Sequence, residues 1–267
     1  MPAVQLARLS QQIDVLVWQF TRPADFLLRL RDLFELYANR VLKSGQAVPP
    51  TTMAPSFRIP PIIMRQLEVN LRQPCVQHPA AAFALVDVLW AESMLEYRLL
   101  ATIILGLIPL HPPEPVLERI RTYAKPKTDT QVIEALLNNS GRSLRQEMPG
   151  LWIGLIESWA NAPTYAIQAI ALKAIMITTH DDQFDNFPPL FRIFSVILQT
   201  GPSALKAELQ TTLMALLKYS PKETVYLLRQ VLLITSSPTT QRLVRLSLSH
   251  VPPEYQSSLR QALQTHQ

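Results

Sequence analysis

Three groups of side chains in this 267-residue chain have types and spacings suited to chemistry. The loop His180-Asp181-Asp182-Gln183-Phe184-Asp185 gathers carboxylates beside an imidazole, a donor set that could hold a hard cation. A turn of this composition also caps the helix that follows it, and a solvated cap without a metal is the expected role. Arg119, Arg121, Lys125, Lys127, Arg142 and Arg145 form the densest basic stretch. Displayed on a helical face, such groups pair with phosphates and make binding fall steeply with salt; equally, they decorate the solvated face of an ordinary helix. Trp152 and Trp159, seven residues apart, share a helical stripe and read as core packing rather than as a stacking platform. No P-loop, GxGxxG, HExxH, GxSxG or CxxC pattern occurs, so no local signature calls for a nucleotide, a metal or any other cofactor.

Composition narrows the partners. A formal charge of +5 and a pI near 9.5 allow an anionic ligand, yet no basic arm stands apart, so any electrostatic footprint must be assembled by the fold. Cys75 is the only cysteine, which excludes an intrachain disulfide and points to a reducing compartment. The N-terminus lacks a basic-then-apolar leader, and the long uncharged run from Leu99 to Pro113 is broken by proline and too short for a membrane span. The expectation is a cytoplasmic protein with no membrane partner.

The elements that must position these groups are helices opened by proline. Proline suits the first helical turn, where its missing N–H has no partner to lose. Pro163, Pro202 and Pro238, and between them Pro188, Pro221 and Pro252, recur every 31 to 39 residues, the step of stacked helical hairpins. Helices are predicted over 2–20, 24–43, 62–71, 80–90, 95–107, 115–123, 129–137 and 144–159, and from each of those prolines. An irregular loop is expected at 44–61, dense in Pro, Thr and Ser. The fold class is therefore all-α, a HEAT-like solenoid of about fourteen helices in seven pairs, forming one domain over 1–267. In the segment from Pro221, Lys222 and Arg229 share a face, and in the next Arg242 and Arg245 do, so two successive helices offer basic edges.

Three stretches resemble the DNA alkylation repair enzyme family, the HEAT-like alkylpurine DNA glycosylases. They are Leu89-Trp90 with Glu96-Tyr97-Arg98-Leu99-Leu100-Ala101, then Trp159-Ala160-Asn161-Ala162-Pro163-Thr164-Tyr165, and the run from Ser220-Pro221-Lys222-Glu223 to Arg245. The resemblance covers roughly residues 80–260. It implies duplex DNA held along the solenoid and release of a cationic alkylated purine, with a carboxylate stabilising the positive charge that develops on the sugar. In the matching positions Thr130 stands where the family has tryptophan and Glu134 where it has aspartate. Tyr165 corresponds to the later aromatic, and Ile167 and Gln168 replace a basic pair. On this resemblance Glu134 is the catalytic anion and Tyr165 the aromatic flanking the lesion. Arg142, Arg145, Lys173, Lys218 and Arg245 are the phosphate contacts. The alternative is a non-catalytic scaffold that holds a protein or peptide in its groove.

Overall fold

The computed structural model describes residues 6–38, 54–235 and 237–264, and among them every regular element is helical. The helices are α1 Leu6–Val17, α2 Pro23–Tyr37, α3 Pro61–Gln77, α4 Pro79–Ala91, α5 Leu95–Leu107, α6 Glu114–Tyr123, α7 Thr130–Ala135, α8 Gly141–Glu147, α9 Pro149–Ala160, α10 Tyr165–Thr178, α11 Pro188–Thr200, α12 Lys206–Tyr219, α13 Pro221–Ile234, α14 Pro238–Ser247 and α15 Pro253–Gln264. A π-helical turn, Leu136–Ser140, carries α7 without a break into α8. Of the irregular segment expected at 44–61, residues 44–53 lie outside the described residues. Residues 54–60 are non-helical and lead to Pro61 at the start of α3.

Proline does most of the work of starting helices. It occupies the first turn of α2, α3, α4, α6, α9, α11, α13 and α14. Side-chain caps are made by Asp129, which accepts the Gln131 N–H, and by Ser237, which accepts the Thr240 N–H. Pro163 and Pro202 fall just ahead of their helices: Thr164 leads into α10, and a 3₁₀ turn at Ser203–Leu205 leads into α12. The helix expected over 144–159 is two helices, divided at Met148 (φ −138°, ψ 58°), because Pro149 disfavours a helical residue before it. Conversely α3 runs past Leu71 and through Pro74. Its buried stripe Ile63, Leu67, Leu71, Cys75 continues at a four-residue step, and the burial of Cys75 carries the helix on.

The chain divides into two compact units, Met1–Ser143 and Leu144–Gln267. In the first, α1, α3, α5 and the π turn pack in succession as one layer, with α2 and α4 as the second. Where α5 meets the π turn the backbones touch: a Cβ on Gly106 would collide with the Asn139 carbonyl, so only glycine fits. Ser140 Oγ donates to the Thr102 carbonyl (2.9 Å) and Asn139 Nδ2 to Thr102 Oγ1 (3.0 Å), fastening that contact. On the other layer Arg119 donates twice to Asp87 (2.9 and 2.7 Å), lies over the Phe83 ring, and shares Asp87 with the Tyr123 hydroxyl. Burial acts to raise the Asp87 carboxyl, but the bonds from Arg119 and Tyr123 outweigh it and hold the group below its ordinary value.

In the second unit α9, α11, α13 and α15 form one layer and α10, α12 and α14 the other. Trp152, fully buried, donates from Nε1 to Thr178 Oγ1 (2.9 Å) and meets Trp159 edge to face at 6.4 Å, as core packing requires. The Arg145 guanidinium lies 5.4 Å from the Trp152 ring centre and donates to Asp181 at 2.7 Å, with both side chains at most 10% exposed. Gly201 ends α11 in the left-handed region (φ 49°), packed against the side chains of Ser237 and Thr240. No described helix is long and apolar enough to cross a membrane.

Candidate nucleic-acid interface

The two layers of the second unit differ in charge. The helices α10, α12 and α14 carry Lys173, Lys206, Lys218, Arg242 and Arg245 against one carboxylate, Glu208. In the layer of α9, α11, α13 and α15 the cations Arg192, Lys222, Arg229 and Arg260 are offset by Glu157, Glu223 and Glu254. Helical periodicity turns Lys218, Arg242 and Arg245 outward and leaves Lys173 and Lys206 half-buried. Each helix buries an apolar stripe: Ile170, Ala171, Ala174, Ile175 and Thr178 on α10, Leu209, Leu213 and Leu216 on α12, Thr240, Leu243, Val244 and Ser247 on α14. What remains outside recurs at three- and four-residue steps: Ala166, Ala169, Lys173 and Met176, then Ala207, Thr211, Met214 and Lys218, then Pro238, Arg242 and Arg245. Of the cations on these stripes, Lys218, Arg242 and Arg245 reach solvent.

Lys218, Arg242 and Arg245 are exposed, and no ion pair or hydrogen bond engages them among the described residues. Lys173 is half-buried on α10 and engaged with a neighbouring group. Tyr165 opens α10 with its side chain 52% exposed. Thus Tyr165, Lys173, Lys218 and Arg245 all fall on the α10, α12 and α14 layer. Helices packed side by side lie about 8–10 Å apart, which sets the spacing between cations on successive helices of this layer.

The remaining sequence candidates lie elsewhere. Arg145 is not a surface cation: the Asp181 pair and the Trp152 ring take its guanidinium inside the second unit, where no phosphate reaches it. Asp181 is thereby also removed from the candidate cation loop, and it accepts the Gln183 N–H (3.2 Å) as a turn cap would. Among the described residues no three His, Cys, Asp or Glu side chains converge as metal ligands. Arg142 is exposed on α8. Glu134 is half-buried on α7, one turn before Asn138, whose Nδ2 donates to the Glu134 carbonyl (2.9 Å). Glu134 and Arg142 belong to the first unit, while Tyr165 and the α10, α12 and α14 cations belong to the second.

Comparisons with protein-family models, curated proteins and solved structures return no match for this chain. Two features of the site escape the sequence pattern. Lys206 joins the cationic layer at the first position of α12, where no basic partner at helical spacing flags it. Lys222 and Arg229 leave it: α13 packs between α11 and α15, so the basic edges of α13 and α14 lie on different layers. Periodicity shows that two residues share a face but not which layer the face belongs to.

Proposed function

We propose that this chain is a HEAT-like helical-repeat protein that binds the backbone of duplex DNA through α10, α12 and α14. The alternate stacking of helices within each unit supports the repeat reading. The observation that carries the DNA reading is the segregation of Lys173, Lys206, Lys218, Arg242 and Arg245 to one layer with Glu208 as its sole carboxylate. Neutralising three to five phosphates gives a slope of log K against log salt of about −3 to −4.5. The test is binding of a short duplex across a salt series by the native chain and by the Lys218→Glu, Arg242→Glu, Arg245→Glu variant. A salt-steep affinity that the variant loses upholds the proposal, and a duplex ignored at low salt overturns it.

Base excision is a further activity that the family resemblance implies, to be tested apart from the α10, α12 and α14 layer. Glu134 supplies the anion that an oxocarbenium-like centre needs. Alkylated-base release by the native chain and its loss in Glu134→Gln, with duplex affinity retained, would establish the activity. Affinity without base release leaves a damaged-DNA binder.

A second reading, a scaffold for a protein partner, has its own observation. The outer stripes of α11 and α13 enclose a groove of about 540 Å³ lined by Phe187, Phe191, Tyr219, Tyr226 and Leu227. Tyr226 is 65% exposed there, a large apolar surface of the kind that partners cover. DNA binding that survives Tyr226→Ala separates this groove from the cationic layer.

A further inference from the structure

A different binding chemistry is built into the first unit. Glu96, 4% exposed at the start of α5, accepts three hydrogen bonds from consecutive residues of the segment before α3: Ser56 Oγ (2.6 Å), the Phe57 N–H (3.0 Å) and the Arg58 N–H (2.8 Å). The Leu95 N–H donates in return to the Pro55 carbonyl (2.8 Å). Arg58 takes a left-handed conformation (φ 56°) within this strap. The result fixes the Phe57 ring, which lies 5.6 Å from both Phe34 and Tyr97.

Phe57 and Tyr97 then wall a cavity of about 340 Å³, with Met94 and Leu28 completing its apolar lining, a volume within the range of small-ligand sites. Three charged side chains reach the cavity: Arg31, Glu35 and Glu92. Arg31 is committed to Glu35 (2.9 Å). The half-buried Glu92 carboxylate has no hydrogen bond or ion pair among the described residues, so the described lining carries two carboxylates against one guanidinium, with Arg98 held beside Glu92 by a bond from its Nε to the Glu92 carbonyl (2.8 Å). Burial pushes the Tyr97 phenol up to about 12, with Arg31 acting to lower it and Glu92, Glu35 and Glu96 to raise it.

We propose that this cavity binds a small organic cation, an alkylammonium group, with Glu92 as counter-ion and the Phe57 and Tyr97 rings as walls. Three physical arguments select that class. An anion meets two carboxylates in the lining, a bare metal ion loses its water to aromatic walls that cannot replace it, and a neutral ligand gives the Glu92 carboxylate no direct ionic partner. An alkylammonium offers charge to Glu92 and polarised methyl or methylene groups to the ring faces.

The test is isothermal titration of the full chain with choline and with 3,3-dimethylbutan-1-ol, its neutral isostere of nearly the same shape. Choline binding about tenfold tighter than the isostere is expected, with that preference abolished in Glu92→Gln and both ligands weakened in Phe57→Leu. Equal affinity for the two, an undiminished preference in Glu92→Gln, or no choline binding at tens of millimolar each overturns the proposal. The isostere comparison uses the native protein, so it decides the matter even where a variant folds poorly. Duplex binding by α10, α12 and α14 is independent of either outcome.

Discussion

The interior seam and the outer face of the second unit use the same kind of side chain to opposite ends. In the seam, Arg145 meets Asp181 at 2.7 Å over the Trp152 ring and is 4% exposed. On the outer face Lys218, Arg242 and Arg245 stand in solvent, with no ion pair to a carboxylate among the described residues. A cation is available to a ligand only where the fold has not already supplied its anion. The first unit shows the intermediate case: Arg119 and Asp87 pair on the surface, with 23% and 48% of their side chains exposed.

The sharpest way to break this contrast is to remove the seam cation. Arg145→Ala takes the guanidinium away from the largely buried Asp181 carboxylate and should cost about 3–5 kcal/mol, read as a shift in the urea midpoint. Replacing both partners with apolar residues should recover much of that loss; if Arg145→Ala alone is neutral, the seam pair is not structural. Reversing charge on the outer face inverts the pattern. Arg242→Glu with Arg245→Glu should leave unfolding stability within about 0.5 kcal/mol, while duplex affinity falls at least tenfold and the salt slope flattens by about 2.

The surface pair lies between these extremes. Arg119→Ala is expected to cost about 1 kcal/mol, because Asp87 is about half exposed and keeps the Tyr123 hydroxyl bond. The smallest effect is its pH dependence. Asp87 has a lowered carboxyl in the folded state, so its contribution is present above the ordinary carboxylate range and is lost as pH falls through the lowered folded value. The difference in Tm between the native chain and Arg119→Ala should therefore be largest near neutrality and vanish in strong acid. A gap that widens on acidification would reverse the sign assigned to this pair.

Much of the fold was legible because its signals are local. Proline at a first helical turn marks Pro188, Pro221 and Pro238 without reference to any distant residue. The same rule divides 144–159 at Pro149, where the continuous apolar pattern concealed a break. The candidate site was less legible because its decisive partners are distant. Asp181 lies 36 residues from Arg145 and Asp87 lies 32 from Arg119, and neither pairing leaves a mark on the intervening sequence. Glu96 stood in a recognisable run of residues, but its capture of Ser56, Phe57 and Arg58 depends on a chain reversal nearly forty residues away. Layer membership is a tertiary property, and it separates Lys222 and Arg229 from Arg242 and Arg245 although the two pairs look alike in sequence.

Cys75 gives the first unit a built-in clock. Its thiol is wholly buried on α3, and burial pushes it up to about 12, so the native state presents almost no thiolate to a reagent in mild alkali. Labelling must then wait for α3 to open. With a large excess of thiol reagent the rate reports how often that happens, and with less reagent it reports how large a fraction of molecules is open at any moment. Because the chain has no other cysteine, the signal needs no mutation to assign it. Choline added to such an experiment would slow the clock only if the opening that frees Cys75 also dismantles the cavity between Phe57 and Tyr97, which makes one sulfur atom a gauge of how far that motion spreads.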